Sequence, residues 1–133
     1  IISFKNASQL RLLSPNGMEL VRIDRKFTTG KLVIVPRKAL QDKSQRYYHQ
    51  AVLKLKGKAF YFSNFDLNIE HNKVVEPYEP TIRIGQKIYL DKRFVGYVML
   101  NINLAHFIES LRNAGEMDFF VTDQRGHILI GKT

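Results

Sequence analysis

The chain contains no cysteine and no tryptophan. The first absence removes disulfides, thiolate zinc sites and thiol nucleophiles. Proline is scarce, at four in 133 residues. Long apolar runs are missing as well: no stretch approaches the roughly 18 residues of a membrane-spanning helix. There is no GxGxxG, no phosphate-binding loop, no HExxH and no nucleophile elbow. His49, His71, His106 and His127 show no ligand-like pairing. His71, beside Glu70 in a polar stretch, reads as a surface histidine. Asp66 and Glu70 span a strand and a loop, so no shared helix face is expected for them. Nothing asks for a metal, a cofactor or a turnover, and a non-catalytic domain is expected. Ile1-Ile2-Ser3-Phe4 runs at once into polar residues and makes no signal peptide. The chain starts without Met, so a fragment is expected, with targeting signals left outside it.

What is present is an ordinary globular composition, 44% hydrophobic and 25% charged. A chain of this length fits one domain with its own core. The formal net charge is +9. Lysines and arginines are spread from Lys5 to Lys132, with no run longer than two. A nucleic-acid protein more often gathers such charge on one element. No nucleic-acid partner is expected, and proximity to an anionic bilayer would suffice to explain the charge.

The patterns alternate between two periods. "QLRLLS", Pro15-Asn16-Gly17 and "MELVRIDR" read as a hairpin, because Asn-Gly tolerates the positive φ of a tight turn. Residues 25–38 are irregular, with a short extended run at "LVIV", 32–35. From Ala39 to Leu55 the apolar spacing turns helical. Asp42 or Ser44 is a candidate cap, and Gly57 a left-handed terminator. "AFYFSNFDL", 59–67, is an aromatic strand, and "NIEHNKVVEPYEP" a polar loop. "TIRIGQKIYL", 81–90, alternates Ile82 and Ile84 against Arg83 and Gly85. "FVGYVMLNINL", 94–104, is the most apolar strand and belongs at the sheet centre. A second helix is expected at about 104–113, then a final hairpin from "DFFVTD" to "HILIG". This order implies an α+β domain with helices packed on an antiparallel sheet. The first and last hairpins share a shape, which hints at two similar modules.

One stretch is unusual. "KSQRYYHQAV", 43–52, sets Arg46, Tyr47, Tyr48 and His49 side by side within the predicted helix. Helical spacing aligns Tyr47 with Ala51 and Leu55, which predicts packing for Tyr47. It leaves Arg46, Tyr48 and His49 as a candidate rim. Basic and aromatic residues also interleave at 58–64, a pattern shared by core edges and stacking surfaces.

Taken in order, these segments resemble the extracytoplasmic double-Cache (PAS-like) sensors of bacterial membrane receptors. "LRLLSPNGMELVRIDR" is similar to that family's opening hairpin, and "LQDKSQRYYHQAV" to its next segment, which ends Arg-x-Tyr-Phe. "YFSNFDLNIEHNKVVEPYEPTIRIGQKIY" is similar to its Ser-x-x-Asp-Leu segment. "GYVMLNINLAHFIE" resembles the strand and helix that close the first lobe. The resemblance covers about residues 9–113. It implies a PAS-like first lobe at 1–114, with 115–133 opening a second lobe. It implies the periplasmic part of an inner-membrane histidine kinase, diguanylate cyclase or chemoreceptor, anchored in the membrane. Implied partners are a small ligand, such as an amino acid, amine or organic acid, and a homodimer through a long N-terminal helix. The alternative is a structural or protein-interaction module that binds nothing small.

Carried over position by position, the resemblance points to Arg46, Tyr48, Ser63, Asp66 and Arg83. His49 stands where the family has a plain aromatic, which predicts a pH-dependent ligand preference. Tyr61 joins the set as an aromatic wall. Gly85-Gln86-Lys87 departs from the family's small-Thr-Pro. An arginine suits a carboxylate, an aspartate suits an ammonium, and aromatic walls keep both partly dry. A plain Arg46–Asp66 ion pair is the competing role for Arg46.

Overall fold

The computed structural model describes residues 4–26, 28–74, 76, 79–115, 118, 120–122 and 124–131. β1 (Ala7–Leu13) and β2 (Glu19–Arg25) form the expected hairpin, and Gly17 in its turn has φ +87°. β3 (Leu32–Ile34) pairs with β2. A 3-10 turn at Arg37–Ala39 precedes α1 (Tyr47–Leu53). β4 (Phe60–Phe62) and β5 (Asp66–Leu67) follow. β6 (Ile69–Glu70) and β7 (Lys73–Val74) make a small hairpin of their own. β8 (Pro80–Leu90) and β9 (Arg93–Asn103) are the long strands, α2 spans Ala105–Asn113, and β10 (Phe120–Thr122) pairs with β11 (Ile128–Gly131).

The main sheet runs β3-β2-β1-β9-β8-β4, with β5 also on β8, and every pairing is antiparallel. β9 therefore lies inside the sheet, as its apolar sequence predicts. The α+β class is as expected. Phe119 and Asp123 of the expected final hairpin lie outside the described residues, as do Val75, Pro77 and Tyr78 of the expected polar loop and Ile1 to Ser3. The rest of that loop is not all irregular. His71 and Asn72 take positive φ, at 47° and 61°, and close the β6–β7 turn.

The expected helix over 39–55 is shorter at both ends. Its first half is claimed by the β1–β2 hairpin. Glu19 N–H donates to the Gln41 carbonyl at 3.0 Å, and Lys43 N–H to the Gly17 carbonyl at 2.8 Å. Asp42 does not cap α1. Its Oδ1 accepts from Ser44 N–H at 2.8 Å, a turn upstream of the helix. α1 instead starts after an extended Arg46. Its far end is capped from the sheet: Lys87 Nζ donates to the carbonyls of Leu53 (2.8 Å) and Leu55 (2.7 Å). Gly57 is left-handed as predicted, at φ +57°, though it lies past the helix.

The sheet has two unlike faces. One carries Asp24, Gln9, Asn101 and Arg83 in a transverse row, and Arg22, Arg11, Met99 and Gly85 in the next. α1 packs on this face: Leu13, Tyr48, Val52, Tyr97 and Met99 form the core, flanked by Tyr61 and Phe94. Each such fully buried apolar side chain contributes about 1.5–3 kcal/mol. Gly85 lets the helix approach, since a Cβ there would meet Met99 Cε at 3.0 Å and Val52 Cγ2 at 3.4 Å. The other face is apolar and open, with a trough of about 470 Å³ between Leu10, Ile23, Phe60, Ile84, Val98 and Leu100.

Candidate functional site

Six of the seven expected residues meet around the start of α1, with Arg46, Ser63, Asp66 and Arg83 at the polar centre and Tyr48 and Tyr61 beside it. Asp66 Oδ2 lies 3.3 Å from Arg83 Nη1 and 3.7 Å from Arg46 Nη2. Ser63 positions Arg83 through its backbone: Ser63 Oγ accepts from Arg83 N–H at 2.7 Å, and Ser63 N–H donates to the Arg83 carbonyl at 2.9 Å. Asp66 is set in turn by Leu67 N–H, which donates to its Oδ1 at 2.8 Å.

Tyr48 reaches the cluster as a floor beneath it. It is buried, and its ring carries the guanidinium carbons of Arg83 at 5.4 Å and Arg46 at 5.6 Å. Arg11 lies 5.3 Å from the same ring and donates to the Tyr48 hydroxyl at 2.8 Å. Three guanidiniums share this ring, with Glu19 as the carboxylate near Arg11 and Asp66 near Arg46 and Arg83. Tyr61 lines the wall. Burial foremost, with the charges of Tyr47, Asp66 and Tyr48 outweighing that of Arg83, pushes its phenol up to about 12.

The expected partition of the aromatic run is corrected. Tyr47 is not packed away: it is 46% exposed, and its hydroxyl donates to Asp66 Oδ2 at 3.0 Å. His49 is the buried one, at 3% exposure, with Nδ1 2.8 Å from the Tyr97 hydroxyl. It faces the core on the Gly17 side and is not brought to the cluster. Burial lowers its pKa, with Asp42 opposing, so it stays neutral in the core. The line that faces the core runs through Tyr48 and Val52, with His49 beside it, one position on from the line through Tyr47 and Ala51.

The site is not saturated. Arg46 Nη2 and Arg83 Nε are buried without a hydrogen-bond partner among the described residues, as are Arg11 Nε and Glu19 Oε1. Leaving such groups unmade costs about 1–3 kcal/mol each, more for charged ones. The cluster therefore holds two cations, one carboxylate and spare donors. It can accept a carboxylate at the guanidiniums and an ammonium at Asp66.

A second polar network went unseen in the sequence. Glu70 accepts from Arg22 Nη1 (2.8 Å), Gln9 Nε2 (2.9 Å), Gln41 Nε2 (2.9 Å) and Lys43 Nζ (3.4 Å). Burial opposes its charge, but the Gln9 bond, the charges of Lys43 and Arg22 and the Gln41 bond win, taking it down to about 2. Asp66 and Glu70 thus pin one short segment across the polar face, one at each end. The available signal was the inward parity of Gln9 and Arg11 in an otherwise apolar strand. Among the described residues, no three His, Cys, Asp or Glu side chains gather closely enough to hold a metal.

The fold that carries this cluster has counterparts. The model of the bacterial histidine kinase sensor domain matches residues 4–132. The chain belongs to that family. Among solved structures, this sensor domain is similar to the extracellular domain of the histidine kinase vpHK1S-Z8, at 29% identity and TM-score 0.73, over 80% of this chain and 37% of that one. It is equally similar to a domain of a sensory box/GGDEF family protein from Vibrio parahaemolyticus, at 29% identity and TM-score 0.73, over 80% and 39%. The fold is shared with the ligand-binding domain of the Campylobacter jejuni chemoreceptor Tlp3, solved with L-valine, at 18% identity and TM-score 0.63, over 95% and 45%. The chain spans less than half the length of each of these structures. A comparison with curated proteins found no match. No helix among the described residues is long and apolar enough to cross a membrane.

Proposed function

We propose that this sensor domain is the ligand-binding lobe of a bacterial transmembrane signalling protein, lying on the periplasmic side. Its ligand is a small molecule with a carboxylate, an ammonium or both, such as an amino acid, amine or organic acid. Arg46 and Arg83 hold the anionic end, Asp66 the cationic end, and Tyr48 and Tyr61 form the walls. Ser63 positions Arg83. His49 has no part in it. Residues 1–114 are the first lobe and 115–133 open a second; a kinase, cyclase or chemoreceptor output and a membrane anchor belong to the full-length protein.

One observation carries this reading: two buried guanidinium nitrogens without acceptors, Arg46 Nη2 and Arg83 Nε, beside a carboxylate. The Arg46–Asp66 pair at 3.7 Å is part-exposed and too long for a hydrogen bond. Pairs of that kind contribute about 0–1 kcal/mol, less than each new charge-assisted bond to a ligand, at about 1.5–3 kcal/mol. The L-valine bound by Tlp3 supports the zwitterion class.

Thermal-shift screening against amino acids, organic acids and amines tests it. A saturable rise in Tm is expected with at least one compound, and Arg46→Ala removes that rise. A rise unchanged in Arg46→Ala would place binding elsewhere.

The open apolar sheet face favours a second role, contact with protein. Leu32, Phe60 and Phe62 are 58%, 58% and 65% exposed there. Sedimentation over a range of concentrations checks whether copies associate; a strict monomer at high concentration removes self-association through this face.

A further inference from the structure

Tyr47 differs from its neighbours on α1. Tyr48 and Val52 are core residues, whereas the Tyr47 ring is half exposed. Its hydroxyl is nevertheless engaged twice. It donates to Asp66 Oδ2 at 3.0 Å and accepts from Arg83 Nη1 at 3.3 Å. These are the two groups of opposite sign to which a zwitterion would offer its ammonium and its carboxylate. The phenol thus presents one donor and one acceptor where the ligand has to present the same.

It is a poorer fit than the ligand. A neutral hydroxyl makes weaker bonds to a guanidinium than a carboxylate does. It also has one oxygen where a carboxylate has two. With Tyr47 in place, Arg46 Nη2 and Arg83 Nε stay buried and without an acceptor. The Arg46 guanidinium lies against the Tyr47 ring, 5.5 Å from its centroid, so the ring also holds Arg46 back.

We infer that Tyr47 is an internal competitor for the site: its hydroxyl fills the polar position between Arg83 and Asp66 and moves aside when a ligand binds. The inference rests on the ligand site proposed above. The geometry permits the movement. Tyr47 is the first helical residue, after an extended Arg46, and turning its ring to solvent empties no part of the core. The open form is then a minor state, and the apparent Kd is the intrinsic one divided by the open fraction. Tyr47 sets the affinity range of the sensor without adding a contact to the ligand.

The test is calorimetric titration of the 133-residue chain with the standard L-amino acids, as wild type, Tyr47→Phe and Arg46→Ala. Tyr47→Phe keeps the ring and loses the hydroxyl. An amino acid that binds the wild type is expected to bind Tyr47→Phe about tenfold tighter. A merely structural tyrosine would give no such gain. Equal or weaker binding by Tyr47→Phe, with Arg46→Ala still inactive, overturns the competitor and leaves the site standing. No binding to any form, or binding indifferent to Arg46→Ala, removes the site and the competitor with it.

Discussion

Two residues four positions apart, Asp66 and Glu70, do different work because their surroundings differ. Asp66 is a third exposed and shares one oxygen among Arg46, Arg83 and Tyr47. Glu70 is largely enclosed and is matched by four donors. Its folded-state pKa, about 2 against an ordinary 4.5, lies below the unfolded value. Its stabilisation is therefore fully present above about pH 4.5 and lost as pH falls through about 2. The difference corresponds to about 3 kcal/mol. Glu70→Gln is expected to lower the unfolding free energy at neutral pH by about that amount and to flatten the acid limb. Urea titrations from pH 7 down to about 2.5 measure both. An unchanged acid limb would mean that Glu70 is not the group responsible. His49 moves the expected pH dependence from ligand preference to stability. Its pKa is lowered by burial, so the unfolded chain takes up a proton first. Stability then falls as pH drops below about 6.5. Ligand affinity, in contrast, is expected to be equal at about pH 5.5 and about pH 8, because His49 does not face the site. A several-fold difference in calorimetric affinity would put the imidazole back at the rim.

At the scale of elements, α1 is the piece that makes the site, and it is placed by the sheet beneath it. Gly85 gives it clearance and Lys87 holds its last carbonyls. The departure Gly85-Gln86-Lys87 from the family pattern thus has a structural use at both of these positions. Lys87→Met keeps an unbranched apolar stem and removes the ammonium, which also lies 5.1 Å from the centre of the Phe94 ring. It is expected to cost about 1.5–3 kcal/mol in urea unfolding, for charge-assisted bonds to two carbonyls. If stability holds, the cap is made by solvent instead. Much of the element plan was legible in the sequence. The Asn-Gly hairpin, the alternation in β8 and the central β9 follow from turn chemistry and period-two patterning, which are local. The start of α1 was not legible. It is set by Gly17 and Glu19, whose backbones take the hydrogen bonds of residues 41 and 43, and such distant claims leave no mark on helical spacing. The error at Tyr47 and His49 is one of phase: adjacent helical residues lie about 100° apart, so a choice between neighbouring lines decides which aromatic faces the core. Arg46, Asp66 and Arg83 came from family likeness. Tyr47 has no such signature; Glu70 lies within the segment that resembles the family, but only the fold brings either residue to its partners.

For the molecule as a whole, the division of faces is the governing feature. Strand alternation was plain in the sequence, yet the covered face is the polar one. Charged and amide side chains line the side packed by α1, while leucines, isoleucines and phenylalanines face outward. Such a polar interior is affordable only because most of its groups are paired; among the described residues, two of the three unpaired guanidinium nitrogens, Arg46 Nη2 and Arg83 Nε, lie where a ligand is proposed, and the third is Arg11 Nε. The net charge of +9 is spread along the sequence, with no run of lysine or arginine longer than two. No complex with single- or double-stranded oligonucleotides is expected in gel-shift assays at about 0.15 M salt. A complex with a steep salt dependence would reverse that. The central claim is that Arg46 and Arg83 carry the ligand, and side-chain NMR tests it most directly. The Nε–H resonances of these arginines are followed during titration with the amino acid that most stabilises the protein. The Arg83 and Arg46 signals are expected to shift together, saturably, with the affinity found by calorimetry, while Arg22 stays still. Saturable shifts confined to the apolar face, at Leu10 and Leu100, with Arg46 and Arg83 unmoved, would contradict the account.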